Sequence, residues 1–167
     1  MTKVTHNKII KILYELCMNF TYYKEVHADH INSAGYKPID IVSPHGKGKE
    51  GELYYFIPDL WAKIKSNNNV DVYEVWDEQS KASRLEDVIL SALTPNIYTL
   101  SIICLDQDTA ENARKIVKVV LNSIYNEKRK KLLDPTNVLP YIVIIPDKIQ
   151  RSELETKKLL KTVLNLY

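Results

Sequence analysis

Asp59 and Glu74 are the residues whose setting in this sequence most plainly asks for chemistry. They lie in the stretch Glu52–Lys81, ELYYFIPDLWAKIKSNNNVDVYEVWDEQSK. Its first run, Glu52–Ile64, is rich in Tyr, Phe, Ile and Trp, which suit a pleated, half-buried surface. Ser66-Asn67-Asn68-Asn69 interrupts with turn chemistry, and Val70–Trp76 is a second β-prone run. Alternation across a strand puts Ile57, Asp59, Trp61 and Lys63 on one face of the first, and Val72, Glu74 and Trp76 on one face of the second. Two carboxylates on neighbouring strands are thereby expected on one side of a sheet among apolar side chains. Charges in that setting are costly unless a cation compensates them, and a divalent metal is the expectation.

Other clusters invite chemistry less strongly. His27 and His30 sit at i, i+3 spacing near Glu25 and Asp29, but no matching Cys or His cluster completes a zinc site, so they read as surface residues near a helix end. Gly46-Lys47-Gly48-Lys49 lacks the glycine spacing and the Lys-Ser/Thr ending of a phosphate-binding P-loop and reads as a basic hairpin tip. Lys128-Arg129-Lys130-Lys131 is the densest basic run. It can bind phosphate, or complement the dipole at a helix C-terminus with no partner at all. Cys17 and Cys104 fall in apolar runs and read as reduced core residues rather than a disulfide framework.

The elements around these residues follow from periodicity. The chain has 167 residues, 45% hydrophobic and 26% charged, which fits one globular domain over 1–167 with a proper core. A formal net charge of +2 is too small to argue for nucleic acid unless basic residues cluster locally. The longest apolar runs are too short to span a bilayer and no signal-peptide pattern opens the chain, so no membrane partner and a cytoplasmic location are expected. Residues 6–20 place Ile9, Ile10, Leu13, Leu16, Cys17 and Phe20 at helical spacing, and the helix can run on through Tyr22–His30. Residues 36–43 read as a first strand, ahead of the strand pair 52–64 and 70–76. A helix over about 81–93 has the stripe Leu85, Val88, Ile89, Ala92 and Leu93. Ile97–Leu105 reads as a strand covered on both faces. Asp108 with Glu111 suggests a capping box opening a helix to about Lys131, and Ser152 with Glu155 another for a final helix after the strand Tyr141–Ile145. The order α-β-β-β-α-β-α-β-α implies an α/β fold with a mixed sheet and helices on both faces.

With Ile57-Pro58-Asp59 late in the second strand and Tyr73-Glu74-Val75 in the third, the αβββαβ order resembles the PD-(D/E)XK nuclease superfamily. Restriction endonucleases, Holliday-junction resolvases and RecB-type exonucleases belong to it. The resemblance covers about residues 6–105, and 106–167 would be a C-terminal α-β-α extension. It implies a restriction endonuclease-like core and metal-dependent endo- or exonucleolytic hydrolysis of DNA by a homodimer, with junctions or duplex ends as reasonable substrates, while usage rich in Lys, Ile, Tyr and Asn suits an AT-rich microbial or viral genome. Asp59 and Glu74 would hold Mg²⁺, with Mn²⁺ as substitute. Glu15 on the first helix, and less so Glu25, would be the additional acid some members carry. Lys47, Lys49, Lys128, Arg129, Lys130 and Lys131 would meet DNA.

One position departs from the motif. The family places a lysine two residues after the third-strand acid, and this chain has Trp76. Two substitutes are available: Lys81 at the start of the following helix, supported by Gln79 and preferred, and Lys63 on the strand face of Asp59. The alternative is a catalytically inactive nucleic-acid-binding protein on the same fold. A third reading is a protein-interaction module that exposes Trp61 and Trp76 on a sheet face.

Overall fold

The computed structural model describes residues 5–29, 39–41, 54–78, 83–94, 96–129, 141–145 and 152–166. The elements are α1 (His6–Asn19), β1 (Tyr23–Ala28), β2 (Ile39–Ile41), β3 (Tyr54–Phe56), β4 (Leu60–Ile64), β5 (Val70–Trp76), α2 (Arg84–Leu93), β6 (Ile97–Cys104), α3 (Gln107–Arg129), β7 (Tyr141–Ile145) and α4 (Glu153–Val163). The fold is α/β. Five strands form a mixed sheet in the order β1-β4-β5-β6-β7, and β2 and β3 pair separately. β4 runs antiparallel to both β1 and β5, whereas β5, β6 and β7 are mutually parallel.

Strand alternation divides the interior into two layers. On one face Leu60, Ala62, Ile64, Tyr73 and Val75 pack with Ile9, Ile10, Leu13 and Cys17 of α1 and Leu160 of α4. On the other, Trp61, Val72, Trp76, Leu100, Ile102 and Cys104 pack with Val88 and Ala92 of α2 and Ala110, Ala113 and Val120 of α3. β6 supplies both layers, as its near-continuous apolar run requires. Among the described residues no helix is long and apolar enough to cross a membrane.

The strand count before α2 differs from expectation. The first helix stops at Asn19, and residues 23–28 are not its continuation but β1, the outer strand beside β4. Phe20, Tyr22 and Tyr23 crowd the bend with ring centroids 5.3–5.7 Å apart, and bulky aromatic and β-branched residues here favour the extended chain. The run 52–64 is not one strand: Ile57-Pro58-Asp59 separates β3 from β4, because Pro58 cannot donate to a ladder. The strand expected at 36–43 is seen as Ile39–Ile41 in the small two-stranded sheet.

Two helix starts also differ. α3 is capped by Asp106, not by Asp108: the Thr109 backbone N–H donates to Asp106 Oδ1 at 2.7 Å and the Thr109 hydroxyl to Oδ2 at 2.8 Å. In α2, Leu85 is exposed, and Arg84 takes the buried first position instead. The Ser152–Glu155 capping box of α4 forms as expected.

Candidate functional site

β4 begins at Leu60, opposite Tyr73, so Asp59 lies one step beyond the last paired residues, beside Glu74. Its backbone carbonyl accepts the Asp29 N–H at 2.8 Å, extending the β1–β4 ladder. Its side chain does the same toward β5, Oδ2 accepting the Val75 N–H at 2.7 Å. A carboxylate thus occupies the place where the next β4 carbonyl would sit. His6, the first residue of α1, brings Nε2 to 3.3 Å from the same oxygen.

Glu74 is 4% exposed, and among the described residues its Oε1 has no hydrogen-bond partner. Burial first, then the charges of Asp87 and Asp59, raise its carboxyl well above the usual carboxylate range, although the Asp59 backbone N–H works in the opposite direction. Asp87 on α2 is pushed up to about 7 by burial and the Asp59 charge, against help from the Ser83 side chain and the Trp76 indole. Three carboxyl groups from three elements therefore compete for charge in one place. His6 is raised to about 9, chiefly by its hydrogen bond to Asp59. Neither His6 nor Asp87 stood out in the sequence. An acid in a helix's first turn is ordinary there, since it complements the dipole.

These donors suit a hard divalent cation. The oxygens are carboxylate, one is buried with no partner among the described residues, and crowding favours the protonated forms of Glu74 and Asp87 unless positive charge enters. Asp59 and Glu74 would hold such an ion, and waters would complete its shell. Among the described residues no group of three or more His, Cys, Asp and Glu side chains is disposed to ligate one ion.

Other candidate residues lie elsewhere or outside the described residues. Lys63 opposes Val70 and Glu25 at the other end of β4, about 13 Å along the strand from Asp59 at roughly 3.3 Å per residue. Glu15 lies nine positions after His6 on α1 and pairs with Lys157 of α4 at 2.8 Å, which lowers its pKa. Glu25 contacts His27 Nε2 at 2.8 Å, and the His27 ring stacks on Trp61 with centroids 4.4 Å apart. Lys81, Gln79, Lys47, Lys49, Lys130, Lys131 and His30 fall outside the described residues. Lys128 and Arg129 end the α3 backbone. Exposed Arg114, Lys115 and Lys118 earlier on α3 form a basic face that the sequence pattern did not single out.

Trp76 belongs to the core. It is 1% exposed, with the Arg84 guanidinium 5.6 Å above its ring. Arg84 is held in turn by the Asp77 carbonyl, by Asn112 Oδ1 at 3.0 Å and by Thr109 Oγ1 at 3.4 Å. Trp61 is buried as well, which removes the exposed aromatic sheet face that an interaction module needed. Comparisons with family models, with curated proteins and with solved structures find no match to this chain.

Proposed function

We propose that this protein is a metal-dependent nuclease in which Asp59 and Glu74 hold Mg²⁺ or Mn²⁺ and hydrolyse phosphodiester bonds in DNA. The carrying observation is the buried Glu74 Oε1, unpartnered among the described residues, beside Asp59 near the end of β5. With the β2–β3 pair read as an insertion, the elements α1, β1, β4, β5, α2 and β6 give the αβββαβ order of the PD-(D/E)XK nucleases, which supports that resemblance. The bound ion would lower the pKa of a water and neutralise charge on the transferring phosphoryl group. Around it, the chain places Asp59 by the Val75 N–H and keeps Glu74 dry beneath α2. The basic face of α3 supplies phosphate contacts.

The test is cleavage of linear duplex, single-stranded and four-way-junction DNA with Mg²⁺, Mn²⁺ or EDTA, alongside Asp59→Ala and Glu74→Ala. Metal-dependent cutting lost in both variants supports the reading, and the preferred DNA defines the substrate. Cutting that survives Asp59→Ala contradicts it. Sedimentation with and without DNA tests the homodimer.

A second reading, a nucleic-acid-binding protein that no longer cuts, draws on Trp76. The motif lysine's position is filled by a buried indole under Arg84. This reading expects intact DNA that binds less tightly as salt rises, with log K linear in log salt.

A further inference from the structure

We propose that His6 is a positioning residue for the Asp59–Glu74 site, fixing the Asp59 carboxylate so that Oδ1 faces the cation. The inference rests on the metal site proposed above. Two groups converge on one oxygen of Asp59: the Val75 N–H donates to it at 2.7 Å from within the sheet, and His6 Nε2 makes an ion-pair contact with it at 3.3 Å from α1. Both fall on Oδ2, and Oδ1 takes part in neither. A single contact leaves a short carboxylate free to rotate about χ2, whereas a donor and an imidazole from different elements restrict its orientation. The His6 ring is itself oriented, with Nδ1 3.2 Å from Asn7 Oδ1. Its helix is anchored by fully buried Ile9, Ile10 and Leu13, so the imidazole sits on a rigid element.

The arrangement resembles the outer shells of metal sites in general, where a hydrogen bond to the second atom of a ligand sets the direction of the first. His6 would not touch the metal. Its loss should weaken metal binding.

The experiment is Mn²⁺ titration calorimetry on the full chain, wild type against His6→Ala and His6→Gln, with thermal melts of each. His6→Ala should weaken Mn²⁺ binding by about 10–100-fold, the usual effect of removing an outer-shell partner. His6→Gln, whose side-chain amide can still donate to Oδ2, should recover most of that loss. Wild-type affinity in a folded His6→Ala protein would overturn the inference, as would a His6→Gln protein no better than His6→Ala. If His6→Ala does not fold, His6→Leu against His6→Gln makes the same comparison at similar volume. A wild-type chain that takes up no Mn²⁺ removes the underlying metal reading, an outcome distinct from equal binding by the variants.

Discussion

Asp59 prolongs the pairing of β4 with β5: its carboxylate receives the Val75 backbone N–H at 2.7 Å, where a strand carbonyl would otherwise stand. At the start of β4, Asp59 meets β1 through its backbone carbonyl and β5 through its side chain. The same side chain is thus both an acceptor for a β5 backbone N–H and the neighbour of buried Glu74. Asp59→Asn keeps an oxygen for Val75 and should change stability little. Asp59→Ala leaves that N–H without its acceptor and should cost about 1–3 kcal/mol in urea unfolding.

Stability should fall as pH rises through neutrality when no metal is present. Asp87 is raised from 3.8 to about 7, and Glu74 moves in the same direction. Acids with raised folded values stabilise fully below their unfolded pKa and lose that contribution as pH climbs through the folded one. For Asp87 the window is about 4 to 7. Asp87→Asn should flatten the melting temperature across it, and a divalent cation should reverse the decline. A decline unchanged in Asp87→Asn would separate Asp87 from this behaviour.

His6 should add a second limb at higher pH. Raised from 6.5 to about 9, its stabilising contribution is complete below 6.5 and lost as pH rises through 9. In melts from pH 6 to 10, His6→Gln should lose this limb and keep the one below pH 7.

On the opposite face, hydroxyls hold the buried Asp71 carboxylate. The Tyr23 hydroxyl donates to Asp71 Oδ2 at 2.7 Å and meets the Tyr73 hydroxyl at 2.7 Å, while Thr99 Oγ1 donates to Asp71 Oδ1 at 2.7 Å. Tyr23→Phe removes the shared hydroxyl and should destabilise by about 1–3 kcal/mol, because Asp71 stays buried with fewer donors. The urea midpoint should drop with no change in slope.

Lys63→Ala should leave any metal-dependent cleavage close to wild type. Its place opposite Val70 puts it at the wrong end of β4 to assist chemistry at Asp59. A large rate loss in Lys63→Ala, with stability unchanged, would show that the reacting phosphate lies further along the sheet.

Much of the scaffold was legible in the sequence, and the misreadings have physical causes. The apolar stripe of α1, the doubly buried β6 and the Ser152–Glu155 cap follow from local patterns and are present. Residues 23–28 carry no strict alternation, since Lys24, Glu25 and His27 are met by cross-strand partners and turn residues rather than by a continuous core. That is why β1 read as helix. Asp59 and Glu74 were readable as neighbours because the turn at 66–69 fixes the β4–β5 register. His6 and Asp87 were not, because only tertiary packing brings a helix start and another helix's first turn to the same carboxylates. Trp76 could be identified by position but not by role: nothing local announces that Arg84 will lie over it.

The most direct test of the central claim is a titration of the metal-free chain with Mn²⁺, read from the spectrum of the free ion. The account predicts tight uptake that excess Mg²⁺ displaces and that Glu74→Gln and Asp59→Asn each abolish. Equal uptake by wild type and both variants, or none by wild type, would contradict it.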